Sequence, residues 1–171
     1  LVSLAILFSH NLTMGQGPKD GKNEKSPVKS ALNAFKFRSI GPAFMSGRIA
    51  DIAIDPKNEN VWYVAVGSGG VWKTENSGTT WTPLADNMPF YSTGCITIDP
   101  HNNASIWLGT GENVGGRHVG IGHGVYHSKD GGKSWKDMGL KKSEHISKII
   151  VHPDDPNTVW VASQGPLWSP G

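Results

Sequence analysis

The chain has 171 residues with 16 basic and 14 acidic side chains, and its formal net charge of +2 is too small to indicate a nucleic-acid partner. Its length fits one domain, and its 22 glycines and 7 tryptophans are typical of a turn-rich all-β protein. The single cysteine, Cys95, excludes an internal disulfide and is expected to be a small buried apolar residue.

The first residues have the pattern of an export signal. Leu1 to Phe8 is largely apolar and Ser9 to Gln16 is more polar, so residues 1–16 are predicted to be the remnant of a signal peptide, with a hydrophobic tag as the alternative. The stretch is shorter than the roughly 20 residues of a transmembrane helix. It lacks a starting Met, which predicts that the gene begins further upstream.

Residues 17–34 are rich in lysine and contain two prolines, which predicts a flexible linker. Export without disulfides indicates a bacterial envelope, so a periplasmic, cell-surface or secreted protein is expected.

Short β-branched runs separated by Gly, Asn, Asp and Pro predict strands joined by tight turns from residue 49 onward. In the first repeat, about residues 49–84, the predicted strands are Ile49–Ile54, Val61–Val66, Val71–Thr74 and Trp81–Leu84. In the second, about residues 95–138, they are Cys95–Ile98, Ser105–Thr110, Val125–Ser128 and Trp135–Met138. A partial third repeat, about residues 147–171, supplies Lys148–Val151 and Thr158–Ala162.

An octet occurs twice, as Thr74–Trp81 and Ser128–Trp135. Its final tryptophans lie 54 residues apart, and the Asp-Pro pairs at residues 55 and 99 lie 44 apart, which is the size of a propeller blade. The acid or amide at the third position can bond nearby backbone N–H groups, the glycine tolerates positive φ, and the tryptophan packs between strands. A structural role is therefore predicted for Thr74, Asn76, Gly78, Trp81, Ser128, Asp130, Gly132 and Trp135.

The repeats predict an all-β fold, a β-propeller of four-stranded antiparallel blades, present as a fragment of about two and a half blades. Trp62, Trp107 and Trp160 are predicted to occupy one equivalent position. The alternating segment Phe35 to Ile40 is predicted to be an outer strand that joins the last blade of the ring, so the propeller part is expected to span residues 35–171.

The octets resemble the Asp-box, or bacterial neuraminidase repeat, of sialidases, sortilin-type receptors, xyloglucanases and photosystem assembly factors. Asp130 fits the pattern, and Asn76 replaces its acid by the amide. The stretch from Phe37 to Pro56 is similar to the opening of exported bacterial proteins with a sortilin-type propeller domain, often labelled glycosyl hydrolase. The resemblance implies the fold, and it leaves the activity open because Asp-box propellers include enzymes, receptors and assembly factors.

Ligands of propellers usually gather over the central channel, where loops join the second and third strands or lead into an inner strand. The most distinctive such loop is the glycine-rich segment 111–124. No helix follows it to form a phosphate cradle, and its histidines lack the spacing of a metal site, so no cofactor and no metal are predicted. The candidate ligand residues are Arg48, Tyr91, Glu112, Asn113, Arg117 and His118.

Two functions remain open from the sequence. One is the binding of a peptide, protein or glycan ligand, because no catalytic constellation is visible in this segment. The alternative is a glycoside hydrolase of xyloglucanase-like or sialidase-like type whose catalytic residues lie mostly elsewhere. The resemblance implies that a xyloglucanase carries a catalytic Asp where this chain has Gly67, and glycine cannot act as a general base.

Overall fold

The computed structural model describes residues 48–113 and 119–167, which form ten strands in three sheets and one 3₁₀ turn, Lys141–Ser143. The first sheet contains β1 (Ile49–Ile54), β2 (Trp62–Val66), β3 (Gly70–Thr74) and β4 (Thr82–Pro83). The second contains β5 (Thr93–Asp99), β6 (Asn102–Thr110), β7 (Val125–Ser128) and β8 (Lys136–Gly139). The third contains β9 (Ile146–Val151) and β10 (Val159–Ser163).

Every strand pairs antiparallel with its neighbour in the chain, in the orders β1-β2-β3-β4, β5-β6-β7-β8 and β9-β10. This confirms the predicted all-β fold with four-stranded antiparallel units. The described ranges hold no helix long and apolar enough to span a bilayer. The predicted signal remnant, the linker and the outer strand Phe35–Ile40 lie outside the described residues.

A side chain that bonds its own backbone ends the first strand of each sheet. Asp55 Oδ1, Asp99 Oδ1 and His152 Nδ1 each accept the backbone N–H two residues further on, at 2.8, 2.9 and 3.0 Å. Such a bond closes a tight turn and replaces the ladder bond that a continuing strand would make. His152 therefore plays in the third sheet the part that aspartate plays in the other two.

The hydrophobic core lies between neighbouring sheets. The first and second sheets enclose Tyr63, Val71, Ile96, Leu108 and Tyr126, with other buried side chains. A second cluster, Cys95, Val125, Ile146 and Ile149, joins the second sheet to β9. The second sheet thus packs against both of its neighbours, as stacked repeats do.

The two octets have the same internal hydrogen bonds. The hydroxyl of their first residue accepts the N–H of the fifth: Gly78 N lies 2.9 Å from Thr74 Oγ1, and Gly132 N lies 2.8 Å from Ser128 Oγ. The side-chain oxygen of the third residue accepts the N–H of the seventh at 2.8 Å in both. Both glycines have φ of 89°, which a side chain would disfavour.

The octet tryptophans differ in their surroundings. Trp135 donates its indole N–H to Leu84 O at 3.0 Å and so links the second sheet to the first. Trp81 instead packs edge-on against Trp62, with ring centroids 6.5 Å apart. The octet of the second sheet therefore also fastens a sheet interface.

Strand register corrects one prediction. Trp62 pairs with Thr74, the first residue of its octet, whereas Trp107 pairs with His127, the residue before its octet. Tyr63, Trp107 and Trp160 are therefore the equivalent residues, because they lie eight positions after Asp55, Asp99 and His152 respectively. Because Trp62 and Tyr63 are adjacent aromatic residues, matching the tryptophans shifted the alignment of the first repeat by one position.

Side chains also join the first strands of successive sheets. Asp51 on β1 accepts the backbone N–H of Ile96 on β5 through Oδ2 at 3.1 Å. Thr97 on β5 donates its hydroxyl to Ile149 O on β9 at 2.8 Å. The inner strands are thus held in sequence by bonds from one sheet to the backbone of the next.

Candidate functional site

The candidate site is built around an ion pair between the first two sheets. Arg48 directly precedes β1, and Glu112 follows β6 by two residues. Arg48 Nε donates to Glu112 Oε1 at 2.5 Å, and this bond raises the pKa of the guanidinium above its ordinary value. The Glu112 side chain is 1% exposed and that of Arg48 is 55% exposed. The carboxylate is therefore enclosed, while its partner reaches solvent.

Gly67, which follows β2, provides the space for this carboxylate. Its N–H donates to Arg48 O at 2.7 Å, so the two segments are held side by side. A Cβ at residue 67 would lie 2.6 Å from Glu112 Oε1, closer than real Cβ contacts allow. The position at which the resemblance implies a catalytic Asp thus has no room for a side chain while Glu112 lies there.

The backbone of Glu112 is fixed from two further segments. Its N–H lies 3.0 Å from both Ser92 Oγ and Gly120 O. Its carbonyl accepts a hydrogen bond from His145 Nδ1 at 2.8 Å, which places the proton on Nδ1. His145 is buried, so the contact between the second and third sheets here excludes water.

The residues around Glu112 share one position in the repeat. Arg48 precedes β1, Ser92 precedes β5 and His145 precedes β9, each by a single residue. All three contact Glu112, by way of its carboxylate, its N–H and its carbonyl respectively. We call the surface formed by these three residues and the described parts of the loops that follow β2 and β6 the loop face. The sequence analysis missed Ser92 and His145, although their repeated position was a signal that could have found them.

Of the other predicted residues, the structure describes Asn113 and Tyr91. Asn113 donates its side-chain amide to Ser147 O at 3.2 Å, so it ties the loop after β6 to β9. Tyr91 is 65% exposed, and its carbonyl accepts the N–H of Gly70 at 3.0 Å. Arg117 and His118 lie outside the described residues.

The described histidines do not form a metal site. No group of three His, Cys, Asp or Glu side chains with the geometry of a metal site occurs in residues 48–113 and 119–167. His127 lies on β7, where its ring stacks on Trp107 with centroids 4.1 Å apart and Nε2 lies 2.8 Å from Ser105 Oγ. Burial and the nearby Lys129 lower the pKa of His127.

The sequence of this chain is weakly similar to those of known proteins. No protein-family model matches the chain. The xyloglucanase Xgh74A of Acetivibrio thermocellus is 27% identical over 148 residues, which cover 72% of this chain and 16% of that protein. A probable oligoxyloglucan-reducing end-specific xyloglucanase of Neosartorya fischeri is 24% identical over 109 residues, covering 61% of this chain and 12% of that protein.

Comparison with solved structures identifies the fold of the chain. The crystal structure of the GH74 enzyme of Niastella koreensis superimposes with a TM-score of 0.51 and 22% identity over 65% of this chain and 16% of that one. The chain thus spans less than a fifth of the relatives and the structure that it matches. Together with the sheets described above, the likeness identifies the fold as part of a β-propeller.

Proposed function

We propose that the protein is a β-propeller that binds a peptide, protein or glycan ligand on the loop face, without bond chemistry in the described part. The main support for this proposal is the burial of the Glu112 carboxylate and its bond to Arg48. Its carboxylate is 1% exposed, and one oxygen is bonded to Arg48. A general acid or base must come within hydrogen-bond reach of its substrate, and in this structure the Glu112 carboxylate is enclosed. Glu112 therefore has a structural role in this proposal, because it joins the second sheet to the first through Arg48.

The groups that a ligand would meet are those at the surface. The Arg48 side chain is more than half exposed, and guanidinium groups bind carbonyl and anionic oxygens through several N–H donors at once. The exposed ring of Tyr91 offers a flat apolar surface of the kind that packs on sugars and peptide side chains. A ligand with many oxygen acceptors and an apolar face fits this combination.

Binding is tested by calorimetry with xyloglucan oligosaccharides and with a library of peptides. Tyr91→Ala is the informative variant, since it removes exposed surface and leaves the Glu112 cluster intact. We expect it to raise the Kd about tenfold, the loss typical of an aromatic contact residue. Lys133→Ala, at an exposed octet position remote from the loop face, is the matched control and should leave the Kd unchanged. An unchanged Kd for Tyr91→Ala would exclude this surface.

We further propose that the two octets are Asp-box repeats and that the domain is of the sortilin type. Support comes from the hydrogen bonds that the third residue, Asp130 or Asn76, makes inside each octet. In a sortilin-type domain the octets are structural and the ligand is held by channel and loop contacts, which agrees with separate places for the octets and the Glu112 cluster.

Glycoside hydrolysis is the second candidate, and the two curated relatives favour it, because both are named as xyloglucanases. The test is the release of reducing ends from xyloglucan by the protein. If hydrolysis occurs and Glu112→Gln abolishes it while ligand binding persists, Glu112 is catalytic and the proposal of binding without bond chemistry is wrong. Hydrolysis that survives Glu112→Gln would place the catalytic carboxylates elsewhere in the protein.

We also propose that the protein is exported, with residues 1–16 as the signal remnant, 17–34 as the linker and 35–171 as propeller. The apolar start and the lysine-rich segment support this division. Cell fractionation with an antibody against the propeller is the direct test, and recovery of the protein in the cytosolic fraction alone would contradict export.

A further inference from the structure

A pocket of about 310 Å³ lies beside Tyr91, between the turn that leads into β3 and the segment that connects β4 to β5. Its described lining residues all fall between Gly69 and Tyr91. This stretch belongs to the first sheet and to its connection with the second, and the structure shows four strands in each of these two sheets. The described walls of the pocket therefore do not depend on the third sheet.

Backbone hydrogen bonds and a buried ring fix these walls. Gly70 donates its N–H to Tyr91 O at 3.0 Å, and Met88 donates its N–H to Ala85 O at 3.0 Å. Phe90, which also lines the pocket, belongs to the core between the first and second sheets. The pocket is thus formed before a ligand arrives, and a preformed pocket spends little free energy on ordering its own groups.

Asp86 is the one charged residue in the described lining of the pocket. It is exposed, and within residues 48–113 and 119–167 no hydrogen bond or ion pair holds its carboxylate. The lining also includes the exposed Tyr91 and the half-buried Met88. A carboxylate attracts a cation, a tyrosine ring binds one over its face, and methionine packs on an aliphatic chain. The pocket thus combines groups that hold a cation on an apolar stem.

A neutral sugar fits this combination less well, because its hydroxyl groups need several hydrogen-bonding partners. Three carbonyls of the lining already accept one bond each, those of Gly69, Ala85 and Tyr91. The charged group in the lining is a carboxylate, which only accepts hydrogen bonds. A cationic side chain balances its charge, and a neutral sugar does not.

The chemistry of the pocket is not a property of the repeat. The corresponding connection of the second sheet, residues 139–145, contains no phenylalanine, tyrosine or tryptophan. It has Lys141 and Lys142 instead, and it forms the 3₁₀ turn Lys141–Ser143. The exposed tyrosine beside an aspartate therefore belongs to the first connection alone of these two, and the architecture does not require it.

We infer that this pocket binds a lysine or arginine side chain of a peptide ligand, with the cation against Asp86 and the aliphatic stem against Tyr91 and Met88. This inference rests on the proposed binding of a ligand on the loop face, which the pocket adjoins, and it selects a peptide with a basic residue from the classes named there. The size agrees, because about 310 Å³ is at the lower end of the roughly 300–1,000 Å³ of ligand pockets and suits one side chain.

Two blocked pentapeptides are the probes, acetyl-Gly-Gly-Lys-Gly-Gly-amide and the same peptide with norleucine in place of lysine, which keeps the stem and removes the charge. Carbon-13 at the methionine methyl groups of the intact protein reports binding by NMR, since Met88 lines the pocket and Met138 lies on β8 outside it. We expect the lysine peptide to shift the Met88 signal with a Kd on the order of 1 mM and to leave the Met138 signal in place. The norleucine peptide should bind at least fivefold more weakly.

Variants of the protein locate the cation. Asp86→Asn keeps the shape of an exposed side chain and removes its charge, so the Kd of the lysine peptide should rise about threefold, as for an ion pair at a protein surface. Asp154→Asn changes an exposed aspartate in the segment between β9 and β10, and this matched control should leave the Kd unchanged.

The results separate this inference from the proposal of ligand binding. A ligand whose Kd rises in Tyr91→Ala but stays the same in Asp86→Asn would support binding on the loop face and overturn the cation pocket. Equal binding of the two pentapeptides, or no shift of the Met88 signal by the lysine peptide, would overturn it as well. So would a neutral xyloglucan oligosaccharide that shifts the Met88 signal with the same Kd in the wild type and in Asp86→Asn.

Discussion

The carboxylate of Glu112 occupies the space into which a side chain at Gly67 would project, with Oε1 2.6 Å from the position of a Cβ. The two residues belong to different sheets and are 45 positions apart in the chain. Identity at one position therefore restricts identity at the other. In this chain the carboxylate at this point on the loop face comes from residue 112, and residue 67 is glycine.

The first prediction follows from this exclusion. Gly67→Ala should lower the free energy of unfolding by about 1–3 kcal/mol, because the new methyl group overlaps the enclosed carboxylate. In a background that carries Glu112→Ala the same change should cost about 0.5 kcal/mol or less, since the clash is gone. Urea denaturation of the four proteins gives the coupling energy. Equal costs in both backgrounds would show that the two side-chain positions are independent.

The second prediction concerns pH and the octets. Hydrogen bonds from Ser134 lower the pKa of Asp130 to about 2. The folded-state pKa is below that of the unfolded chain, so Asp130 adds stability above about pH 4, and this stability is lost as the pH falls from about 4 to about 2. The contribution is modest, because Asp130 is exposed to solvent.

Asp130→Asn tests this pH dependence, since Asn76 shows that the amide fits the octet. Melting temperatures of the wild type and the variant should differ most above pH 4 and converge towards pH 2. Asn76→Asp is the reciprocal variant and should acquire the same acid-sensitive stability. A difference between wild type and Asp130→Asn that stays constant from pH 6 to pH 2 would contradict the assignment.

The third prediction compares the two partners of an ion pair. Asp51 Oδ2 accepts the N–H of Ile96 at 3.1 Å and lies 3.5 Å from Lys148 Nζ. Asp51→Ala leaves a backbone donor of β5 unbonded and should cost about 1–3 kcal/mol. Lys148→Ala removes only an exposed charge and should cost about 0.5 kcal/mol or less. Equal losses in denaturant titrations would mean that the ion pair, and not the backbone bond, joins the sheets.

The fourth prediction concerns Cys95, whose burial raises the pKa of its thiol to about 12. The thiolate is the reactive form, so the folded protein should react very slowly with iodoacetamide at pH 8. In 6 M guanidinium, about the strength that unfolds even very stable domains, labelling should be rapid. Mass spectrometry of labelled protein then measures the fraction unfolded. Rapid labelling under native conditions would show that the cluster around Cys95 opens readily.

The strands were largely predictable because each sheet is formed by strands that follow one another in the chain and are separated by recognisable turns. β-branched runs between Asp, Asn and Gly turns located β1, β2, β5 and β7 to within two residues of the observed bounds. The equivalence of Trp62 with Trp107 was wrong, because register depends on which backbone groups face each other, and a tryptophan beside a tyrosine conceals a shift of one.

The site was predictable only in part. Loop position selected Arg48 and Glu112 as candidates, but their pairing needs two sheets to meet and has no signature in either segment. Ser92 and His145 bond backbone groups of a residue in another loop, and such contacts do not depend on the identity of the receiving side chain.

Bonds from a side chain to a backbone group of another sheet also have an evolutionary consequence at the sheet interfaces. Asp51 reaches the N–H of Ile96, Thr97 reaches the carbonyl of Ile149, and Trp135 reaches the carbonyl of Leu84. Every residue except proline offers both groups, so these bonds do not depend on which side chain stands at the receiving position. Repeats held in this way can diverge in sequence while their contacts persist, in agreement with the fold shared with the GH74 enzyme of Niastella koreensis at 22% identity.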